Sequence, residues 1–370
     1  MERRNFLTKA ATLGGGLVAL KACGESQTGH ADGGPAVQTK PKILWRLASS
    51  FPRSLDTIYG VAETFAKRVS GLTDGFFTIH PSPAGELVPA LQVMDAVQQG
   101  TVSIGHTASY YFKGKNPALA FDCTVPFGMT ARQQNAWMSF AGGRELMQKV
   151  FADFNMMSLP AGNTGTQMGG WFRREIGSLA DLNGLKMRIP GFGGEVMSRM
   201  GVTVQVLGGP DIFPALERGA IDATEWVGPY DDEILGFHKI AKNYYYPGWW
   251  EPGPQLSLLI NLKDWAKLPA QYQQAIEVAA AESNQTMLAN YDAKNPPAMK
   301  RLLQAGVSFK PFAQDIMDAA RSHTQEIIQE QVTADATYRE IWTAWDQFRQ
   351  DSSAWFGTCE SAFSNFAFKS

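Results

Sequence analysis

The chain has 370 residues, 44% hydrophobic and 18% charged, enough apolar mass for a large core and more chain than a single lobe needs. A net charge of −2 with no block of like charge excludes a surface that tracks nucleic-acid phosphates. Its 5 histidines and 3 cysteines show neither zinc-ligand spacing nor Cys-x-x-Cys.

In chain order, Arg3-Arg4-Asn5-Phe6-Leu7 precedes a glycine-containing apolar run, 10–20, too short to span a bilayer. The pattern resembles a twin-arginine export signal. Leu20-Lys21-Ala22-Cys23 resembles a lipoprotein processing box, although Lys21 stands where a small residue is usual. Two readings of residues 1–23 stay open: cleavage that releases a soluble chain, or lipidation of Cys23 as a membrane anchor. Residues 24–40 lack apolar periodicity and read as a flexible linker. Cys123 and Cys359 then remain, either paired in an oxidising compartment or as two buried thiols.

Residues 43–48 predict a strand, and Leu55, Ile58, Tyr59, Ala62, Phe65, Ala66 and Val69 recur at helical spacing until 71–75 breaks the run. A strand at 76–79, a helix over 87–99 and a strand at 102–104 follow. A second unit begins near Gly165, with strands at 166–172, 185–189 and 202–206 and a helix over 193–200. The strand at 256–261 reads as a return to the first unit, and a long helix covers 269–303. This alternation predicts mostly parallel sheets covered by helices. Residues 315–355 are helical, and the Tyr338, Trp342, Trp345 and Phe348 stripe fits a core better than an interface.

Enzyme signatures are missing: there is no Gly-x-Ser-x-Gly, His-Glu-x-x-His, phosphate-binding loop or Gly-x-Gly-x-x-Gly. Gly191-Phe192-Gly193-Gly194 fits a tight strand-to-helix turn. Arg188 stands on an apolar strand that ends at Pro190, where an unpaired guanidinium would be strongly unfavourable. Either a protein carboxylate or a ligand must supply its anion. A fixed planar fork suits a ligand carboxylate.

Leu182-Asn183-Gly184-Leu185-Lys186-Met187-Arg188-Ile189-Pro190, followed by Ala215-Leu216-Glu217-Arg218-Gly219-Ala220-Ile221-Asp222, resembles the solute receptors of TRAP transporters, which are tripartite and ATP-independent. The resemblance covers nearly all of 41–310. It implies an α/β, two-lobed periplasmic-binding-protein-like fold with a hinged cleft and an extra C-terminal helical segment. The lobes would be 41–164 with 253–290, and 165–252 with 291–335, with 336–370 as the extension. It further implies capture of a small organic carboxylate, delivery to a small and a large membrane subunit, and a homodimer formed through the C-terminal helices.

Three finer matches, 163–173, 225–232 and 247–251, resemble the branch that binds 2-oxoacids such as pyruvate. That branch implies a sodium or calcium ion held by the Gln167 side chain, Glu225 and the Trp226 carbonyl, with Glu251 nearby, while Arg188 takes the solute carboxylate. Sialic-acid receptors of the family carry a second arginine near Gln167 and an asparagine near Trp226, so the bulky Trp226 here implies a compact solute. Phe51, Tyr110 and Tyr111 follow strands, where parallel-sheet loops face a cleft. Blander roles stay open: Gln167 could satisfy strand backbone, Glu225 could pair with Arg173 or Arg174, and Trp249 and Trp250 could be core. The rival function is a metal-assisted enzyme acting on a 2-oxoacid or hydroxy acid, for which no base or nucleophile is evident.

Overall fold

A computed structural model describes residues 40–368. The export signal, Cys23 and nearly all of the linker lie outside the described residues. The first half comprises β1 (Ile43–Ser49), α1 (Gly60–Leu72), β2 (Phe77–Ser82), α2 (Val93–Gln98), β3 (Ile104–Thr107), α3 (Leu119–Cys123), α4 (Ala131–Phe140), α5 (Gly143–Ala152) and β4 (Met156–Asn163). The second comprises β5 (Gly170–Phe172), β6 (Lys186–Arg188), α6 (Gly191–Arg199), β7 (Thr203–Gln205), α7 (Gly209–Glu217), β8 (Ala223–Thr224), α8 (Pro229–Leu235) and β9 (Asn243–Tyr246). The chain then continues through β10 (Gln255–Asn261), α9 (Leu262–Trp265), α10 (Ala270–Gln304), β11 (Ser308–Pro311), α11 (Gln314–Ala334), α12 (Ala336–Phe356) and α13 (Ala362–Ala367).

Two sheets result, ordered β2-β1-β3-β10-β4 and β11-β9-β5-β8-β6-β7. Most strands in each run parallel, as the alternation predicts, with one reversed strand in each sheet. In the first, only β10 is reversed, antiparallel to β3 and β4; in the second, only β5 is, against β8 and β9. These two strands carry the chain from one sheet into the other. Each enters at the edge from which the other strands leave, so it must run against them. The return of β10 to the first sheet agrees with the sequence reading.

Apolar spacing accounts for the helices. Val61, Ala62, Phe65, Ala66 and Val69 form the buried stripe of α1. The 35-residue α10 packs on β4 and α1 and then on α8, and it continues through Pro296 and Pro297. The helix expected over 87–99 shrinks to a single 3-10 turn after Pro89 followed by α2. Asp335 interrupts the helical stretch expected over 315–355, because its side chain caps α12 by accepting the Tyr338 N–H at 2.7 Å. The strand expected over 166–172 survives only as β5, since Gln167 and Met168 bond to the loop carbonyls of Glu251 and Val227 instead.

Tyr338 and Trp345 of α12 close around Phe121 at 5.0 and 5.7 Å, as core residues. Beyond them Trp355, Phe363, Phe366 and Phe368 are exposed. Cys123 is buried and Cys359 exposed, and both are free thiols. Neither cysteine expectation therefore holds in full: the two do not pair, and only one is buried.

Candidate functional site

Pairing of β6 with β8 sets Arg188 opposite Thr224, so Glu225 arrives beside the guanidinium. Arg188 is 1% exposed. Its Nη1 donates to the Glu225 carboxylate and, at 3.2 Å, to the Glu225 carbonyl; its Nε donates to the Leu207 carbonyl at 3.0 Å. Its Nη2 has no partner. The arginine's anion is thus partly a protein carboxylate, with one prong left over. Glu225 pairs with neither Arg173 nor Arg174, whose guanidinium groups bond to backbone carbonyls.

Gln167 belongs to the loop that leads into β5. Its N–H bonds to the Glu251 carbonyl at 3.1 Å and its carbonyl accepts from Gly248 at 2.9 Å, which ties it to the 247–251 segment. The side-chain Nε2 donates to Thr164 Oγ1 at 3.0 Å, and Oε1 is buried without a partner. Glu225 Oε2 and Glu251 Oε2 are orphaned in the same way. Burial pushes the Glu225 carboxyl up to about 7, against the pull of Arg188. Burial, then the neighbouring Glu225, holds Glu251 well above the usual carboxylate range.

Phe51, Tyr110, Tyr111, Gln167, Arg188 and Trp226 share the wall of one narrow, nearly closed cavity, with Thr164, Pro254 and Leu256 also in its wall. Glu225 and Glu251 do not line it; they lie behind, Glu225 against Arg188 and Glu251 beside the Tyr110 hydroxyl. Tyr110 and Tyr111 meet edge to face at 5.0 Å, and Phe51 presents its edge to Trp226 at 6.3 Å. Gly191 has φ +67°, and a Cβ there would come within 2.5 Å of the Tyr110 ring, so glycine is what lets α6 approach the aromatic wall. Trp249 and Trp250 take the core reading: Trp249 stacks on Phe127 at 5.2 Å, and Trp250 packs on Gly193.

The residues fit a hard cation. Three buried oxygens, on Gln167, Glu225 and Glu251, lack donors, and a buried unsatisfied carboxylate oxygen is strongly unfavourable. Among the described residues no group of three or more His, Cys, Asp or Glu is set to hold a metal. A cation here would rest on two carboxylates plus amide and main-chain oxygens, a set that suits sodium or calcium better than zinc. A larger cavity of about 440 Å³ opens between residues 125–127 and α11 with α12, but the only orphaned polar atom among its lining residues is the Trp345 indole nitrogen.

Two features escaped the sequence reading. His106 on β3 sits 5.1 Å from Phe51; burial lowers its pKa to about 3, so its ring is neutral, and its Nδ1 shares a hydrogen bond with Ser49 Oγ, 3.2 Å away. Asp231 and Asp232 are buried beneath Trp226 and Trp171, bonded to both indoles. The adjacent acids stand in a segment singled out for Glu225 and Trp226, and their side-by-side placement at a helix start was the available signal.

A family model described as bacterial extracellular solute-binding protein, family 7, matches residues 48–335. The chain is 52% identical over 367 residues to a monocarboxylate 2-oxoacid-binding periplasmic protein of Nostoc sp. (strain PCC 7120), covering 99% of each. A TRAP transporter solute binding protein from Bordetella bronchiseptica RB50, a mixed-occupancy dimer with co-purified calcium and picolinate in one active site, superposes with a TM-score of 0.88 at 46% identity, over 89% of this chain and 98% of that one. A TRAP periplasmic solute binding protein from Pseudoalteromonas atlantica T6c with bound sodium and pyruvate gives 0.84 at 38% identity, over 88% and 99%.

Proposed function

The chain belongs to family 7 of the bacterial extracellular solute-binding proteins, a periplasmic receptor family rather than an enzyme family, and from that premise we propose that it captures a small 2-oxoacid such as pyruvate together with a sodium or calcium ion. One observation carries this reading. Arg188, with its orphaned Nη2, and Gln167, with its orphaned Oε1, line one narrow cavity, and the orphaned oxygens of Glu225 and Glu251 lie behind that wall, so one free donor stands near a surplus of free acceptors. A bound carboxylate satisfies the donor, and a cation the oxygens.

In this reading Arg188 holds the solute carboxylate. Gln167, Glu225 and the Trp226 carbonyl hold the cation, with Glu251 contributing charge from behind. The cation offsets the clustered carboxylates and gives the 2-oxo oxygen a positive neighbour. Phe51, Tyr110, Tyr111 and the Trp226 ring exclude water and limit length. The binding of calcium with picolinate, and of sodium or calcium with pyruvate, by related receptors supports it. The lobes would be 41–164 with 253–290 and 165–252 with 291–335, hinged across the cleft, their closed form read by the two membrane subunits of a TRAP transporter. The exposed aromatic residues of 355–368 support a homodimer through the 336–370 extension. Export by the twin-arginine route, with Cys23 as an optional lipid anchor, completes the reading.

Native mass spectrometry of the purified protein tests it. The expected mass excess corresponds to one C3–C6 2-oxoacid plus one sodium or calcium. A ligand of another class would contradict the proposal.

A further inference from the structure

Resting on the reading of the cavity as a 2-oxoacid site, we propose that Asp231 is a positioning residue that fixes the Trp226 indole as the end wall of the cavity and so sets the solute length admitted. Trp226 is buried, and three neighbours confine its ring. The Arg188 guanidinium lies 5.4 Å from the ring centroid. Phe51 meets the ring at 76°. Gly209, at the start of α7, approaches so closely that a Cβ there would lie 2.8 Å from Trp226 Cη2.

Contacts of this kind limit the space around a ring without fixing its rotation. A hydrogen bond does, and the Trp226 indole N–H donates to Asp231 Oδ2 at 3.3 Å. The same oxygen accepts from the Tyr291 hydroxyl at 2.7 Å. Asp231 is fully buried, forms no salt bridge among the described residues, and has an orphaned Oδ1. Burying an acid so sparsely partnered is unfavourable, which an ordinary core position would not need. Oδ2 accepts both donors whether the acid is charged or neutral, so the role does not depend on its titration.

Tyr291 lies on α10, which packs on β4 and α1 and on α8. The brace therefore runs from that long helix through Tyr291 and Asp231 to the cavity wall. Asp232 serves different rings: it accepts from Trp171 Nε1 at 2.8 Å and Tyr244 Oη at 2.7 Å, which stack in the core with centroids 3.9 Å apart. Asp232 also accepts the backbone N–H of Val227, a cavity-lining residue, at 3.2 Å, but of the adjacent acids Asp231 is the one bonded to a side chain of the cavity wall.

The test compares dissociation constants for pyruvate and for 2-oxohexanoate on ligand-stripped protein. Asp231→Leu should lower the preference for pyruvate about tenfold, and Tyr291→Phe a few-fold. Asp231→Asn, which keeps an acceptor oxygen, should recover most of it. Combining Asp231→Leu with Trp226→Ala should change the ratio no more than Trp226→Ala alone, because both act through one ring. Equal weakening toward both acids, with the ratio unchanged, would overturn the proposal. The Trp226 indole N–H resonance gives an arm that needs neither solute nor the leucine variant: it should shift in Tyr291→Phe, and an unmoved resonance overturns the positioning role. Failure of the parent to bind either acid would instead overturn the 2-oxoacid reading, while the resonance still decides the role of Asp231.

Discussion

Arg188 offers two terminal prongs, and Glu225 takes one of them. The arginine therefore serves the fold, and in the proposed reading the site as well, which a choice between protein and ligand carboxylate does not anticipate. Arg188→Ala should weaken 2-oxoacid binding by roughly 2–5 kcal/mol, and it should also destabilise the empty protein by about 3 kcal/mol, because Glu225 is left buried and unpaired. Adding Glu225→Gln should restore much of the stability and none of the affinity. Denaturant unfolding and calorimetry on the single and double variants check this; a double variant as unstable as the single one would mean that the pair does not matter to the fold. Arg188, Gln167 and Trp226 were legible because motif and spacing marked them. Asp231, His106 and Thr164 were not, since their roles arise from partners 5, 57 and 3 residues away that only the folded chain brings together.

At the scale of elements, the halves meet through contacts around the cavity as well as through β5 and β10. Asp56, shortly after β1, accepts from the Tyr230 hydroxyl of α8 at 2.8 Å and from Lys294 of α10 at 2.9 Å. Lys113, shortly after β3, pairs with Glu195 of α6. These partly exposed pairs join elements of the two sheets without touching the cavity, so they should hold the closed form and slow solute release. An exposed pair contributes about 1 kcal/mol or less, so Asp56→Ala should speed dissociation up to about fivefold and leave the association rate nearly unchanged. Stopped-flow measurement decides; an unchanged dissociation rate would show that closure does not load these pairs. Long periodic elements such as α1 and α10 were legible from their apolar stripes. The reversal of β10 and β5 was not, because direction within a sheet depends on where the chain enters it, and β8, of two residues, is too short to carry a pattern.

For the whole molecule, two mixed sheets joined by crossover strands and a long shared helix bring residues 51, 110, 167, 188 and 226 to one cavity. The alternation of strands and helices already implied that architecture, whereas the gathering of orphaned polar atoms needed the folded chain. In the proposed reading solute and cation bind as a unit. Calorimetric titration of pyruvate into ligand-stripped protein, in sodium or calcium and again with both replaced by a bulky organic cation, should show 1:1 binding that weakens at least tenfold without the small cation and a further loss on Glu225→Gln. Equal affinity in both media would mean that the solute binds without the cation.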